Sequence, residues 1–71
     1  EKEKLIYERN YWTQVVGEHE GYRDGYFMLG VLEYRLGNFD EAENNLKKAL
    51  VLDPFFEEGK SLQQKIIGEK R

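Results

Sequence analysis

Apolar residues recur along the chain at spacings of three and four positions, in four stretches that glycines or the single proline separate. This spacing places apolar side chains on one face of an α-helix, and no stretch shows the alternation of a β-strand. The pattern predicts helices at about 2–16, 23–36, 38–53 and 54–68. Because short connections make neighbouring helices antiparallel, the predicted fold class is all-α, an antiparallel array of helical hairpins.

The four predicted helices differ in how much of their circumference is apolar. The second carries an unbroken apolar block from Tyr26 to Leu32, so it must be covered on several sides and is expected at the centre of the fold. The third has one apolar stripe, and its polar side includes the favourable pair Glu43 and Lys47. The fourth has a narrow stripe that includes Phe55, as expected for an end helix with one face to water.

Start and stop signals support these boundaries. Asn38 followed by Glu41 has the spacing of a capping box at the start of the third helix. Gly17 and Gly37 stand where glycine caps the C-terminus of a helix. Pro54 suits the first helical position, so the fourth helix is expected to begin there.

The second half of the chain repeats the first at an offset of 34 residues. At this offset the third helix coincides with the first and the fourth with the second. Two positions are identical, Gly25 with Gly59 and Asn10 with Asn44. The coinciding apolar pairs are Leu5 with Phe39, Trp12 with Leu46, Val15 with Ala49, Val16 with Leu50, Tyr22 with Phe56, Met28 with Leu62 and Leu32 with Ile66.

One segment carries a set of small and bulky residues at fixed spacing. These are Tyr26-x2-Leu29-Gly30-x2-Glu33, Gly37, Ala42-x3-Leu46, Ala49 and Pro54. In this order, residues 23–56 resemble the tetratricopeptide repeat, which opens W-x2-L-G-x2-Y and continues with A-x3-F. Two positions depart from the family pattern: Glu33 stands where the family has an aromatic residue, and Glu20 stands where a preceding repeat would have proline.

The resemblance implies a single domain over residues 1–71. It would consist of a second-helix-like half repeat at 2–17, a complete repeat at 23–56 and a first-helix-like or capping helix at 55–69. Gly30 and Ala42 would face each other across the central hairpin, because small side chains let two helix backbones approach closely.

The resemblance further implies a non-catalytic protein–protein interaction or assembly module. In this family the first helices of the repeats line a concave groove that receives a partner peptide or helix. The positions that would line the groove are Asp24, Phe27, Val31, Tyr34 and Arg35. The competing interpretation is that this aromatic stripe packs against the first or the fourth helix and contacts no ligand.

Two other functions fit the same residues. The chain could be a structural spacer or a self-associating element, in which the outer faces of the end helices stack on another copy. It could also be a docking segment of a larger enzyme.

Composition narrows the classes of function. With no cysteine, one histidine and a net charge of −3, the chain of 71 residues is expected to hold no metal and no cofactor. Basic residues are interspersed with a larger number of acids, which disfavours nucleic acid as a partner. No apolar run is long enough to span a bilayer, so no membrane is expected in this segment and the cytoplasm is the default compartment.

Residues that could carry chemistry do not form a catalytic set. His19 stands between two glutamates in a loop, where a solvated histidine is the simpler interpretation. Trp12, Tyr7 and Tyr11 lack the basic surroundings of a base-stacking platform. Core packing is favoured for them, with Tyr7 and Tyr11 left as candidates for exposed contact residues.

Overall fold

The computed structural model describes all residues, 1–71, and consists of four α-helices. In chain order these are α1 (Lys2–Glu18), α2 (Arg23–Arg35), α3 (Phe39–Leu52) and α4 (Glu57–Glu69). The structure contains no strand, which confirms the predicted all-α class.

Helix α2 lies at the centre of the array, as its apolar block predicts. It contacts α1, α3 and α4, and its most extensive contact is with α3. Helix α3 also packs against α4, whereas α1 and α3 do not contact each other. The α2–α3 hairpin is therefore the body of the fold, with α1 and α4 packed at its two ends.

The predicted close approach of α2 and α3 at Gly30 and Ala42 is confirmed. A methyl group on Gly30 would lie 3.5 Å from the carbonyl oxygen of Ala42 and 3.6 Å from Cδ2 of Leu62. Three helices therefore meet at Gly30, because Leu62 belongs to α4. Ala42, Leu46 and Ile66 form the fully buried core beside this point.

Two junctions between helices have the same local geometry at an offset of 34 residues. A Cβ atom on Gly25 would lie 2.7 Å from Cγ1 of Val16 and 3.1 Å from the ring of Tyr22. The corresponding atom on Gly59 would lie 3.2 Å from Cδ2 of Leu50 and 2.8 Å from the ring of Phe56. Each glycine lets a helix start against the end of the preceding helix.

The turn between α2 and α3 confirms one of the two predicted caps and contradicts the other. Gly37 has a φ of 83°, and the N–H groups of Gly37 and Asn38 donate to the carbonyls of Tyr34 and Glu33 at 3.0 and 2.8 Å. This pair of bonds is a Schellman motif, which confirms Gly37 as the C-terminal cap. The predicted capping box is wrong: the side chain of Asn38 makes no cap bond to α3, and its Nδ2 donates to Oε1 of Glu33 at 2.8 Å.

The predicted boundaries of the two outer helices also need correction. Helix α1 continues through Gly17 to Glu18, so Gly17 is not its cap. Helix α4 begins at Glu57 instead of Pro54, because Asp53 closes a turn in which its carboxylate accepts the N–H of Phe55 at 3.1 Å. Such turns compete with helix formation. As a result, Phe55 points outward and is 82% exposed, contrary to its predicted place on the apolar stripe.

An ion-pair cluster joins the ends of α3 and α4. Nζ of Lys70 lies 2.7 Å from Oδ1 of Asp40 and 2.8 Å from Oε1 of Glu43. Glu43 therefore pairs with a residue just beyond α4, and the predicted partner Lys47 is not within bonding distance. Hydrogen bonding to Lys70 lowers the pKa of both carboxyl groups.

Candidate functional site

The five residues predicted to line a groove lie along one side of α2. Phe27, Val31 and Tyr34 are half-buried, because α4 covers this side of the helix only in part. Asp24 and Arg35 are exposed at the two ends of the row. We refer to these five residues as the α2 stripe.

The aromatic residues of the α2 stripe contact the neighbouring helices as well as solvent. The ring of Phe27 meets the ring of Phe56 edge to face, with centroids 5.0 Å apart. The ring of Tyr34 lies 5.7 Å from that of Phe39, and its hydroxyl donates to Oε2 of Glu69 at 3.4 Å. Phe27 and Tyr34 thus contribute to the core and keep part of their surface free.

The charged ends of the α2 stripe have different surroundings. Oδ1 of Asp24 lies 2.7 Å from Nη2 of Arg23, whose Nη1 lies 2.6 Å from Oδ2 of Asp53. The guanidinium of Arg23 also stacks on Phe56, 4.0 Å from the ring centroid, and hydrogen bonds to the two aspartates raise the pKa of Arg23. Arg35 forms no ion pair, so its charge remains available to a ligand.

Helix α4 carries five residues at the positions that correspond, 34 residues later, to the α2 stripe. All five are exposed: Glu58, Ser61, Lys65, Gly68 and Glu69. The hydrogen bond from Tyr34 to Glu69 brings the ends of the two rows together. These residues were not predicted as site residues, although the 34-residue offset was the signal that would have found them.

A second concave surface, which the sequence did not predict, lies between α1 and α3. The groove has a volume of about 670 Å³, and α2 forms its floor with Tyr26, Leu29 and Glu33. Its rim includes Val51 and Leu52, which are 80% and 44% exposed. We refer to this surface as the α1–α3 groove.

Glu33 is the only charged residue in the buried set, with 5% of its surface exposed. Its Oε1 accepts the bond from Asn38, and its Oε2 lies 3.5 Å from Nη1 of Arg9 on α1. Glu33, which stands where the family has an aromatic residue, therefore makes buried polar contacts that connect α1 to the turn after α2. Glu33 is recognisable in the sequence as a departure from the family pattern, but its hydrogen bond to Asn38 and its ion pair with Arg9 were not predicted.

The remaining candidate residues lie apart from both surfaces. Tyr7 and Tyr11 are 75% and 56% exposed on α1, whereas Trp12 is partly buried. His19 is exposed in the loop after α1, and no group of three His, Cys, Asp or Glu residues could hold a metal ion. None of the four helices has the length and apolarity needed to cross a membrane.

Residues 23–56 match the family model of the tetratricopeptide repeat. This segment, which comprises α2, α3 and the turn that follows them, is therefore a tetratricopeptide repeat. Repeats of this family generally mediate protein–protein interaction. No curated protein and no solved structure matched the chain.

Proposed function

We propose that the chain is a non-catalytic interaction module that binds a peptide or helix of a partner protein across the face formed by α2 and α4. The observation that carries the proposal is the state of the α2 stripe. Phe27 and Tyr34 are ordered by contacts with Phe56 and Phe39. Both side chains, and that of Val31 between them, remain partly accessible. Anchored aromatic side chains lose little conformational entropy on binding, which favours their use as contact residues.

The chemistry of this face suits a partner segment with both apolar and charged residues. The apolar centre of the α2 stripe is bounded by Asp24 at one end and by Arg35 at the other. Helix α4 adds Lys65 and Glu69 as exposed charges of both signs. A mixed rim around an apolar centre fixes the orientation and register of a bound segment more than it raises affinity.

The arrangement of the repeats supports this assignment of faces. We infer that α1 is the second helix of a preceding half repeat and that α4 is the first helix of a following one, or a capping helix. The shared geometry at Gly25 and Gly59 supports this inference, because both glycines would then occupy the same position in successive repeats. The α2 stripe and the exposed row of α4 would then lie on the same concave side.

A peptide-binding experiment with paired valine variants tests the proposed function. Peptides are selected from a random displayed library against the wild-type chain, and their affinities are then measured for Val31→Glu and Val51→Glu. Val31 lies in the α2 stripe, and Val51 lies on the rim of the α1–α3 groove, 80% exposed. A buried charge in the apolar centre should weaken binding by tenfold or more, whereas Val51→Glu should leave it unchanged.

Either of two results would count against the proposal. One is that no peptide is enriched over a control surface. The other is that Val51→Glu weakens binding as strongly as Val31→Glu, which would move the site to the α1–α3 groove.

The alternative function is self-association through the end helices. It is supported at one end by Tyr7 and Tyr11, which α1 leaves 75% and 56% exposed. At the other end, α4 exposes Lys60 and Gln64, which correspond at the 34-residue offset to Tyr26 and Gly30 of α2. These are the positions where a following helix would pack, so a second copy would meet a polar surface there. Sedimentation velocity over a wide concentration range distinguishes the two functions: a monomer throughout argues against self-association.

A further inference from the structure

A small pocket at the C-terminal end of α1 is separate from both surfaces described so far. It has a volume of about 440 Å³ and is lined by Tyr11, Gln14, Val15, Glu18, His19 and Tyr22. None of these residues belongs to the α2 stripe or borders the α1–α3 groove. We refer to it as the α1-end pocket.

Two of the six residues that line this pocket, Tyr11 and Tyr22, carry aromatic phenol rings. The ring of Tyr11 meets Trp12 edge to face at a centroid distance of 5.3 Å, and Trp12 lies 6.4 Å from the ring of Tyr22. Tyr11 and Tyr22 are 56% and 42% exposed, so part of each side chain faces solvent. Partly exposed rings of this kind present electron-rich faces and edges to a ligand.

The electrostatic surroundings of the α1-end pocket are negative. Glu18 lines the pocket, and no Lys or Arg occurs between Arg9 and Arg23. The last turn of α1 contains no basic residue, so the negative end of the helix dipole is not compensated. Arg23, the next cation along the chain, is held by Asp24 and Asp53.

We propose that the α1-end pocket binds a Lys or Arg side chain from a basic segment of a partner protein. The cation would stack on the exposed tyrosine rings and donate hydrogen bonds to the carboxylate of Glu18. Charge complementarity carries the choice of occupant: aromatic rings, a carboxylate and an uncompensated helix C-terminus all attract positive charge. The proposal goes beyond the binding role of the α2–α4 face and does not depend on it.

Fluorescence of the single tryptophan, Trp12, should report binding in the α1-end pocket, because its ring lies beside those of Tyr11 and Tyr22. The wild-type chain is titrated with capped hexa-arginine and hexa-lysine amides at constant ionic strength. Trp12 fluorescence and backbone amide NMR shifts are both recorded. We expect a saturable change in fluorescence with both cationic peptides, with the largest amide shifts in residues 11–22 and no response to hexaglutamate.

Two substitutions with matched controls separate a built pocket from general attraction between opposite charges. Glu18→Gln should weaken binding of hexa-arginine by roughly tenfold and Tyr11→Leu by roughly threefold. Glu20→Gln removes the same charge outside the pocket, and Tyr7→Leu removes an exposed ring from the same helix. Both controls should change the affinity less than twofold, since neither residue lines the pocket.

Several outcomes would overturn the proposal. Equal losses in Glu18→Gln and Glu20→Gln would show nonspecific attraction to an acidic loop. An unchanged affinity in Glu18→Gln, or amide shifts centred on the α2 stripe, would place the cation elsewhere. If Tyr11→Leu lowers the helical circular dichroism signal, the glutamate pair decides the outcome alone, because both glutamates are exposed.

Discussion

The two sides of α2 differ in the residues they carry and in how neighbouring helices cover them. On the side of the α2 stripe, Phe27 packs against Phe56 and Tyr34 reaches Glu69, so α4 shares and orders the aromatic surface. On the other side, Leu29 and Glu33 are buried on the floor of the α1–α3 groove, which no helix fills. An apolar pattern therefore shows that a helix is covered on several sides, but the order in which its neighbours pack decides which side stays accessible.

The largest expected effect comes from substitutions that separate α2 from its neighbours. Gly30→Leu or Ala42→Leu would place a branched side chain where α2, α3 and α4 meet, and overpacking of this kind costs about 1–3 kcal/mol. Urea unfolding measures this loss of stability. The same substitutions should also make the α2 stripe more accessible, because α4 packs against the same contact through Leu62.

Gly30→Ala is the matched control for these variants. A methyl group at this position makes contacts of 3.5 Å or longer, which is ordinary van der Waals distance. Alanine also has the higher helix propensity, so the free energy of unfolding should stay the same or rise by up to about 1 kcal/mol. If Gly30→Leu unfolds at the same urea concentration as Gly30→Ala, the three-helix contact is not as tight as described.

A smaller effect is expected on the groove side of α2. Glu33→Ala removes the acceptor of the hydrogen bond from Asn38 and the carboxylate that pairs with Arg9. The free energy of unfolding should fall by only about 1 kcal/mol, because water can hydrate the guanidinium of Arg9 in the variant. Glu33→Gln keeps a carbonyl oxygen that can accept from Asn38, so it should cost less than Glu33→Ala. Equal thermal stability of wild type and Glu33→Ala would show that the buried carboxylate does not tie α1 to the turn.

The smallest effect concerns the ion-pair cluster that fastens α4 beside the α2 stripe. The pairing with Lys70 lowers the folded-state pKa of Asp40 and Glu43, so its contribution is present above their unfolded pKa values. This contribution is lost as the pH falls through the lowered pKa values. Lys70→Met should therefore be less stable than wild type at neutral pH, and the difference should shrink on acidification. A difference that is constant from neutral to acidic pH would contradict the role of these ion pairs.

Much of the fold could be predicted from the sequence because helical periodicity and the family positions are local signals. The central place of α2, the Gly30–Ala42 contact and the Gly37 cap follow directly from such signals. The start of α4 was missed because Asp53 closes a turn around Pro54 that competes with the helix. The hydrogen bond from Asn38 to Glu33 was not predicted, because the two side chains come together only where Gly37 reverses the direction of the chain.

The surfaces were harder to predict than the helices. The α2 stripe was predicted from the family positions. The contacts of its aromatic residues with Phe56 and Glu69 depend on how α2 and α4 cross, which the sequence pattern does not specify. The α1–α3 groove exists because α1 and α3 pack on α2 without meeting each other, and no spacing within one helix encodes that separation. The α1-end pocket likewise depends on a loop that places Tyr22 beside Trp12.

An amide chemical-shift map of the chain with a selected peptide bound tests most directly which side of α2 receives a partner. The proposed function predicts that the largest shifts fall on Phe27, Val31 and Tyr34, with a second set on the exposed row of α4 from Ser61 to Glu69. Shifts confined to Leu29, Glu33 and the α3 residues Lys47–Leu52 would instead place the partner in the α1–α3 groove and contradict the α2–α4 face as the binding site.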